Sequence, residues 1–93
     1  MYRIVLACYG LPEAAGPGAA ADITAEFAEH RQWYKNVRCT WDGARLLLQG
    51  DNEIDSDGIA LIDEFSDCTA AYITEPFDGD IKVESIAQLP DEA

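Results

Sequence analysis

The chain has 93 residues, of which 48% are hydrophobic, so it is long enough for one domain with a real core. Aspartate and glutamate outnumber lysine and arginine by 18 to 6, which gives a formal net charge of -12 at pH 7. Such a charge repels nucleic acid and anionic membrane surfaces, and neither is expected as a partner. It suits a basic protein partner or a multivalent cation, and it is equally consistent with acidity that serves solubility alone.

The beginning of the chain shows no secretion signal. The apolar run Tyr2–Tyr9 is interrupted by Arg3 and is shorter than a membrane span. The cysteines Cys8, Cys39 and Cys68 are odd in number and form no CxxC pair, which favours buried reduced thiols over a disulfide framework. We therefore expect a cytoplasmic protein.

The first third of the chain predicts a strand, a loop and a helix. Residues Arg3–Cys8 (RIVLAC) form a short apolar run rich in β-formers, which indicates a central strand. Residues 10–18 hold three glycines and two prolines and predict a loop. A helix is predicted over Asp22–Tyr34, because apolar side chains recur there at helical spacing and basic residues lie at its end.

The next segment predicts a β-hairpin. The strands Val37–Trp41 and Ala44–Gln49 flank Asp42-Gly43, a typical two-residue hairpin loop. That loop length fixes three opposed pairs on one apolar face, namely Trp41 with Ala44, Cys39 with Leu46, and Val37 with Leu48. The opposite face then carries Arg38, Thr40, Arg45 and Leu47.

The last part predicts a second helix and two strands. The helix is expected to begin at Ser56 or Asp57 and to run to about Ser66. Cys68–Thr74 reads as a strand, and after a turn the alternation in Asp80–Ile86 indicates another.

These elements predict an α+β fold that resembles the ferredoxin-like (split βαβ) architecture, with an extra C-terminal strand. The resemblance implies one mainly antiparallel sheet with two helices on one face. Residues 1–89 would form a single domain, and residues 90–93 a frayed tail. Many unrelated functions share this architecture, so the resemblance assigns no functional residue.

One acidic segment is similar to a calcium-binding loop. In Glu53–Glu64 the residues Glu53, Asp55, Asp57, Gly58 and Glu64 fall at ligand or turn positions of the EF-hand pattern. However, the first position is not aspartate, a strand rather than a helix is expected to precede it, and no second loop is present. A helix start in an acidic chain is the competing interpretation, and no metal or other cofactor is predicted.

The candidate binding site is a set of cations on the open face of the sheet. By alternation, Arg3, Arg38, Arg45 and Lys82 point away from the helices, with Tyr9 and Thr40 as neighbours. Arginine suits bidentate contact with carboxylate or phosphate, so this face could bind an anion, an acidic partner or a second copy of the chain. The competing interpretation is cross-strand pairing with Asp80 and Glu84.

No convincing catalytic set is present. Cys8 and Cys39 fall on the core face, whereas Cys68 is expected to be the most exposed thiol. A Cys68–His30 pair and a zinc site remain minor alternatives, because the spacing lacks close ligand pairs.

Two functions follow as hypotheses. The first is a non-enzymatic protein-interaction or regulatory domain of the inhibitor or immunity type, which binds a protein or itself through the open sheet face or the acidic surface. The alternative is a small domain or enzyme that holds an anionic ligand on the open sheet face.

Overall fold

The computed structural model describes residues 1–73, 77 and 79–90. The described residues form one four-stranded antiparallel sheet, in the order β2-β3-β1-β4, and two helices. In chain order the elements are β1 (Tyr2–Tyr9), a 3-10 turn (Glu13–Ala15), α1 (Gly16–His30), β2 (Lys35–Trp41), β3 (Leu46–Asn52), α2 (Ile59–Tyr72) and β4 (Asp80–Gln88). Most of the tail predicted at residues 90–93 lies outside the described residues.

The core lies between the helices and one face of the sheet. Alternate residues of the central strand β1 are fully buried there, and both helices contribute to the same cluster. Its largest apolar members are Ile4, Leu6, Ile23, Phe27, Leu46, Leu48, Leu61 and Phe65. Burying one such side chain contributes about 1.5–3 kcal/mol, so this cluster contributes strongly to stability.

Helix α1 begins earlier and ends earlier than the sequence predicts. The predicted loop over residues 10–18 is wrong for its last three residues, which form the first turn of α1. A proline in the first helical turn has no hydrogen bond to lose, so Pro17 starts the helix here. Glycine is required at Gly16, because an added Cβ would lie 2.1 Å from the ring of Trp41.

The hairpin has a longer loop than predicted. Cys39 opposes Leu48 and Trp41 opposes Leu46, so the predicted register is wrong by two residues. The reason is Asp42, whose carboxylate accepts hydrogen bonds from the N–H groups of Ala44 (2.9 Å) and Arg45 (2.6 Å) and holds both in the loop. An even shift keeps each strand residue on its predicted face, but Ala44 is exposed.

The predicted strand Cys68–Thr74 is wrong over its described residues, because α2 continues to Tyr72. Leu61, Phe65, Cys68 and Thr69 recur on one buried helical face, and this packing outweighs the local preference for strand. Thr74 lies outside the described residues. The described part of the chain therefore has four strands, and the strand predicted as an extra one is β4.

Both edge strands of the sheet are bulged. In β2, Asn36 and Val37 occupy the space between the pairs Lys35–Asp51 and Arg38–Gln49, and Asn36 has a φ of 53°. In β4, Glu84 is the extra residue between two pairs that β4 makes with β1. These bulges interrupt the regular ladder at each edge.

Among the described residues, neither helix combines the length and the apolar character needed to cross a membrane.

Candidate functional site

The open sheet face carries a partly buried ion pair at one end. Arg3 donates from Nε and Nη2 to the two carboxylate oxygens of Asp51, each over 3.0 Å, and Asn36 Nδ2 donates to the same carboxylate over 2.8 Å. Burial alone would raise the pKa of Asp51, but the hydrogen bonds from Arg3 and Asn36 outweigh it and lower the pKa. The Arg3 guanidinium therefore already has an anion bound to it.

A second group of charges surrounds Tyr9 at the other end of β1. Arg45 donates to Asp42 (2.9 Å), Tyr9 Oη (3.3 Å) and Glu84 (3.2 Å), and Tyr9 Oη donates to Glu84 over 2.7 Å. The Lys82 ammonium lies 5.7 Å from the centre of the Tyr9 ring. Its ion pair with Asp80 measures 3.4 Å.

The five predicted site residues thus lie on one face but do not form one site. Arg3 and Tyr9 lie six positions apart along β1, a distance of roughly 20 Å. Arg38 is exposed and has no ion pair with any described residue. Arg3 pairs with Asp51, Arg45 with Asp42 and Glu84, and Lys82 with Asp80 on its own strand, so an incoming anion would compete with an existing contact.

A groove of about 840 Å³ lies on another part of the molecule, at the end of the sheet where β1 and β2 begin and β3 ends. Its walls come from the start of the chain, the α1–β2 connection, the β3–α2 connection and the first turns of α2. The lining residues are Met1, Trp33, Tyr34, Lys35, Asn52, Glu53, Ile54, Asp55, Ser56, Asp57, Ile59, Ala60 and Asp63. This volume is within the usual range for ligand-binding clefts.

Three large apolar side chains of the groove are exposed to solvent. The exposed fractions are 61% for Trp33, 92% for Ile54 and 60% for Ile59. The other large apolar residues exposed in the described part of the chain, Tyr72, Val83 and Ile86, are each less exposed and do not line the groove. A concentration of exposed apolar side chains in one place is typical of an interaction surface.

The loop that carries Ile54 is held in place by side-chain hydrogen bonds. Asn52 Oδ1 accepts from the N–H groups of Ile54 (2.9 Å) and Asp55 (2.5 Å). The buried carboxylate of Asp55 in turn accepts from the N–H groups of Ala60 (3.3 Å) and Leu61 (3.0 Å) in the first turn of α2. Ile54 therefore projects from a braced loop, which lowers the entropy that a partner's binding would cost.

The groove is also acidic. Glu53, Asp57 and Asp63, which are all exposed, line the groove together with the apolar side chains, and Lys35 supplies the cationic side chain among the lining residues. The side chains that line the groove therefore carry a net negative charge. It therefore attracts a cationic group and repels an anionic one.

An ion triad fixes the Trp33 side of the groove. Arg31, at the end of α1, donates to Glu26 on the same helix and to Glu64 on α2. Glu26 also accepts a hydrogen bond of 2.9 Å from Tyr72 Oη. Burial would lower the pKa of Arg31, but the two carboxylates outweigh it and raise the pKa. The triad ties the two helices together next to the connection that carries Trp33.

Carboxylates of Glu53–Glu64, the segment similar to a calcium-binding loop, make contacts within the protein. The carboxylate of Asp55 binds the N-terminus of α2, Asp57 accepts from the N–H of Ile59 over 3.1 Å, and Glu64 belongs to the ion triad. Across residues 1–73, 77 and 79–90, no three metal-ligating side chains converge. The competing interpretation of a helix start therefore agrees with the observed contacts.

The thiols are all buried, and the prediction that Cys68 is exposed is wrong: it is 2% exposed on the inner face of α2. Burial raises the pKa of Cys8 to about 11 and that of Cys39 to about 12. Burial also raises the pKa of Cys68. His30 lies on the surface beside Glu29, with no hydrogen bond to Cys68. These contacts give no activated nucleophile.

The groove could not be predicted from the sequence, because its walls are brought together by two connections far apart in the chain. One local signal was present: Ile54 is the one large apolar residue in the polar segment 50–58. Comparison with protein-family models, curated proteins and solved structures finds no match for this chain.

Proposed function

We propose that this protein is a non-enzymatic interaction domain that binds a cationic segment of a protein partner in the groove. The observation that carries the proposal is that Trp33, Ile54 and Ile59, three exposed apolar side chains, line one groove together with several carboxylates. The partner segment would present a large apolar side chain flanked by lysine or arginine.

Shape and charge support this occupant together. The apolar side chains supply contact area that is removed from water on binding, and tryptophan is a frequent centre of binding energy in protein interfaces. The carboxylates of Glu53 and Asp63 favour basic residues at the rim and increase the rate of encounter. The net charge of -12 adds a long-range attraction to a basic protein.

The alternative, an anionic ligand on the open sheet face, has less support. Arg3, Arg45 and Lys82 each have a carboxylate partner there, and Arg38 alone among the four predicted cations has none in the described part of the chain. A second copy or an acidic partner on this face would have to exchange these ion pairs for new ones.

Peptide binding by the groove is tested by selecting peptides from a random displayed library on the immobilised protein. The affinity of one selected peptide is then measured after synthesis. We expect the selected peptides to combine a large apolar residue with lysine or arginine. We expect Trp33→Ala and Ile54→Ser each to weaken binding by about tenfold or more. Ile86→Ser, a change to an exposed isoleucine outside the groove, is the matched control and should bind normally.

The role of charge is tested by two double variants with the same net charge. Glu53→Gln with Asp63→Asn removes two groove carboxylates, whereas Asp22→Asn with Glu29→Gln removes two exposed carboxylates of α1. We expect only the first double variant to bind the peptide more weakly and to show a smaller dependence of binding on salt. Selected peptides without basic residues, or equal effects of the two double variants, would contradict the proposal.

We also propose the ferredoxin-like architecture for this chain and a cytoplasmic location. The strand order β2-β3-β1-β4 supports the first, because each helix then connects two strands that have a third strand between them. Three buried cysteines without a disulfide support the second, because reduced thiols are usual in reducing compartments.

A further inference from the structure

Asn52 is one of the residues that line the groove, and its side-chain amide has a hydrogen-bond donor without an acceptor in the described part of the chain. The residue is 8% exposed, and its Oδ1 accepts from the N–H groups of Ile54 and Asp55. Those two bonds fix which end of the amide is oxygen, since a flipped amide would place donor against donor. Nδ2 is buried and has no acceptor among the residues that the structure describes. A buried amide donor without an acceptor is unfavourable, and most proteins satisfy such groups.

We propose that Asn52 Nδ2 donates a hydrogen bond to a main-chain carbonyl of the segment bound in the groove. The inference rests on the proposed function and adds a specific contact to it. Asn52 would then have two roles, because its oxygen braces the Ile54 loop while its nitrogen holds the partner's backbone.

The electrostatics of the groove select the kind of acceptor. An anionic acceptor such as a carboxylate would approach the carboxylates of Glu53, Asp57 and Asp63 and be repelled by them. A peptide carbonyl is neutral, and it is present at every residue of the partner whatever the side chain. It is therefore the acceptor that a cationic peptide supplies without an electrostatic penalty.

The burial of Nδ2 sets a condition on binding. Because Nδ2 is buried, the carbonyl reaches it only after the groups that cover it shift, and side chains at interfaces commonly change rotamer when a partner binds. We therefore expect the contact to form in the complex and the Asn52 side-chain amide to respond directly to the peptide.

The first test is Asn52→Asp, measured with the selected peptide. Aspartate keeps an oxygen for the N–H groups of Ile54 and Asp55, but it replaces the donor with a second oxygen and adds a negative charge. A groove that recognises charge and apolar surface alone would bind the cationic peptide at least as tightly after this change. The loss of the donor predicts instead a binding about tenfold weaker, because the carbonyl then faces an oxygen.

The second test observes the side-chain amides of the unchanged protein by NMR. On saturation with the peptide, we expect the Asn52 NH₂ signals to shift and their hydrogen exchange to slow. The internal control is Asn36, whose NH₂ group already donates to Asp51 on the sheet face and should not respond. This measurement decides the question even if Asn52→Asp fails to fold.

The outcomes separate the two proposals. If the unchanged protein binds no basic apolar peptide, the proposed function fails. If the peptide binds and Trp33→Ala weakens it, but Asn52→Asp binds equally or more tightly and the Asn52 amide does not respond, only the role of Asn52 is wrong.

Discussion

Arg3 and Asp51 face each other across β1 and β3 and form two parallel hydrogen bonds, each 3.0 Å long. The carboxylate is completely buried, whereas the guanidinium is partly exposed. Asn36 from β2 donates to the same carboxylate, so Asp51 joins three neighbouring strands through a single charge. Removing the carboxylate would leave the donors of Arg3 and Asn36 without this acceptor.

We expect Asp51→Ala to lower the free energy of unfolding by about 2–3 kcal/mol. Breaking a fully buried pair costs roughly 3–5 kcal/mol, and the exposure of Arg3 reduces that figure. Urea denaturation at neutral pH measures it. A loss no larger than that of a typical surface change would show that the pair contributes little.

The same carboxylate predicts sensitivity to acid. Its folded pKa is lowered, because hydrogen bonds from Arg3 and Asn36 outweigh the opposing effect of burial, so it lies below the unfolded value of about 3.9. Its contribution to stability is therefore complete above about pH 4 and is lost as the pH falls through the folded pKa. Hydrogen bonds from Ala44 and then Arg45 lower the pKa of Asp42 to about 2. Protonation of Asp42 in acid therefore also lowers the stability of the folded protein.

We expect the free energy of unfolding to fall between about pH 4 and pH 2, and both Asp51→Asn and Arg3→Gln to flatten that fall. The first variant removes the titrating group, and the second removes the partner that lowers its pKa. If neither variant changed the slope, another group would have to be responsible for the acid sensitivity.

The N-terminus of α2 depends on Asp55. We expect Asp55→Ala to cost about 1–2 kcal/mol, because the N–H groups of Ala60 and Leu61 lose their acceptor. Asp55→Asn keeps one oxygen and should recover part of the loss. Thermal unfolding monitored by circular dichroism compares the two variants, and equal losses would mean that the charge alone matters.

Replacing Gly58 or Gly18 by alanine should change the free energy of unfolding in opposite directions. Gly58 has a φ of 82°, and an added Cβ would lie 3.3 Å from Ile4 Cγ2, so Gly58→Ala should cost at least about 1–2 kcal/mol. Gly18 lies in α1 with open space around it, so Gly18→Ala should stabilise by about 0.5–1 kcal/mol. Denaturant titrations of both variants check the pair, and a stabilising Gly58→Ala would contradict the left-handed conformation.

The thiols should be unreactive in the folded protein. Since burial raises the pKa of all three, we expect the aromatic disulfide DTNB to label them slowly at about pH 8. After unfolding in guanidinium, all three should react at once. Rapid labelling of Cys68 in the folded state would show that the end of α2 opens readily.

The features of the fold that could be predicted from the sequence are those that depend on the periodicity of apolar residues. The alternation in β1 identified the core face, and the helical spacing around Ile23 and Phe27 identified the middle of α1. Prediction was weaker where a single contact decides the outcome. Pro17 starts α1 within an apparent loop, where Trp41 packs on Gly16, and the carboxylate of Asp42 lengthens the hairpin loop.

The candidate site was predicted only in part. Alternation placed Arg3, Tyr9 and Arg45 on the open sheet face, but it gave no information on which carboxylate each cation meets. The groove depends on contacts between segments distant in the chain, such as the register that places Tyr2 opposite Asn52. No local pattern in the sequence contains that information.

The bulges in β2 and β4 have a consequence for the behaviour of the protein in acid. Near pH 4.1 its net charge vanishes and electrostatic repulsion between molecules disappears, so the protein should be least soluble there. A flat edge strand would then recruit a second molecule by backbone pairing, the first step towards a fibril. Because both edges are bent by an extra residue, the precipitate should form as amorphous, folded protein that dissolves again when the pH is raised.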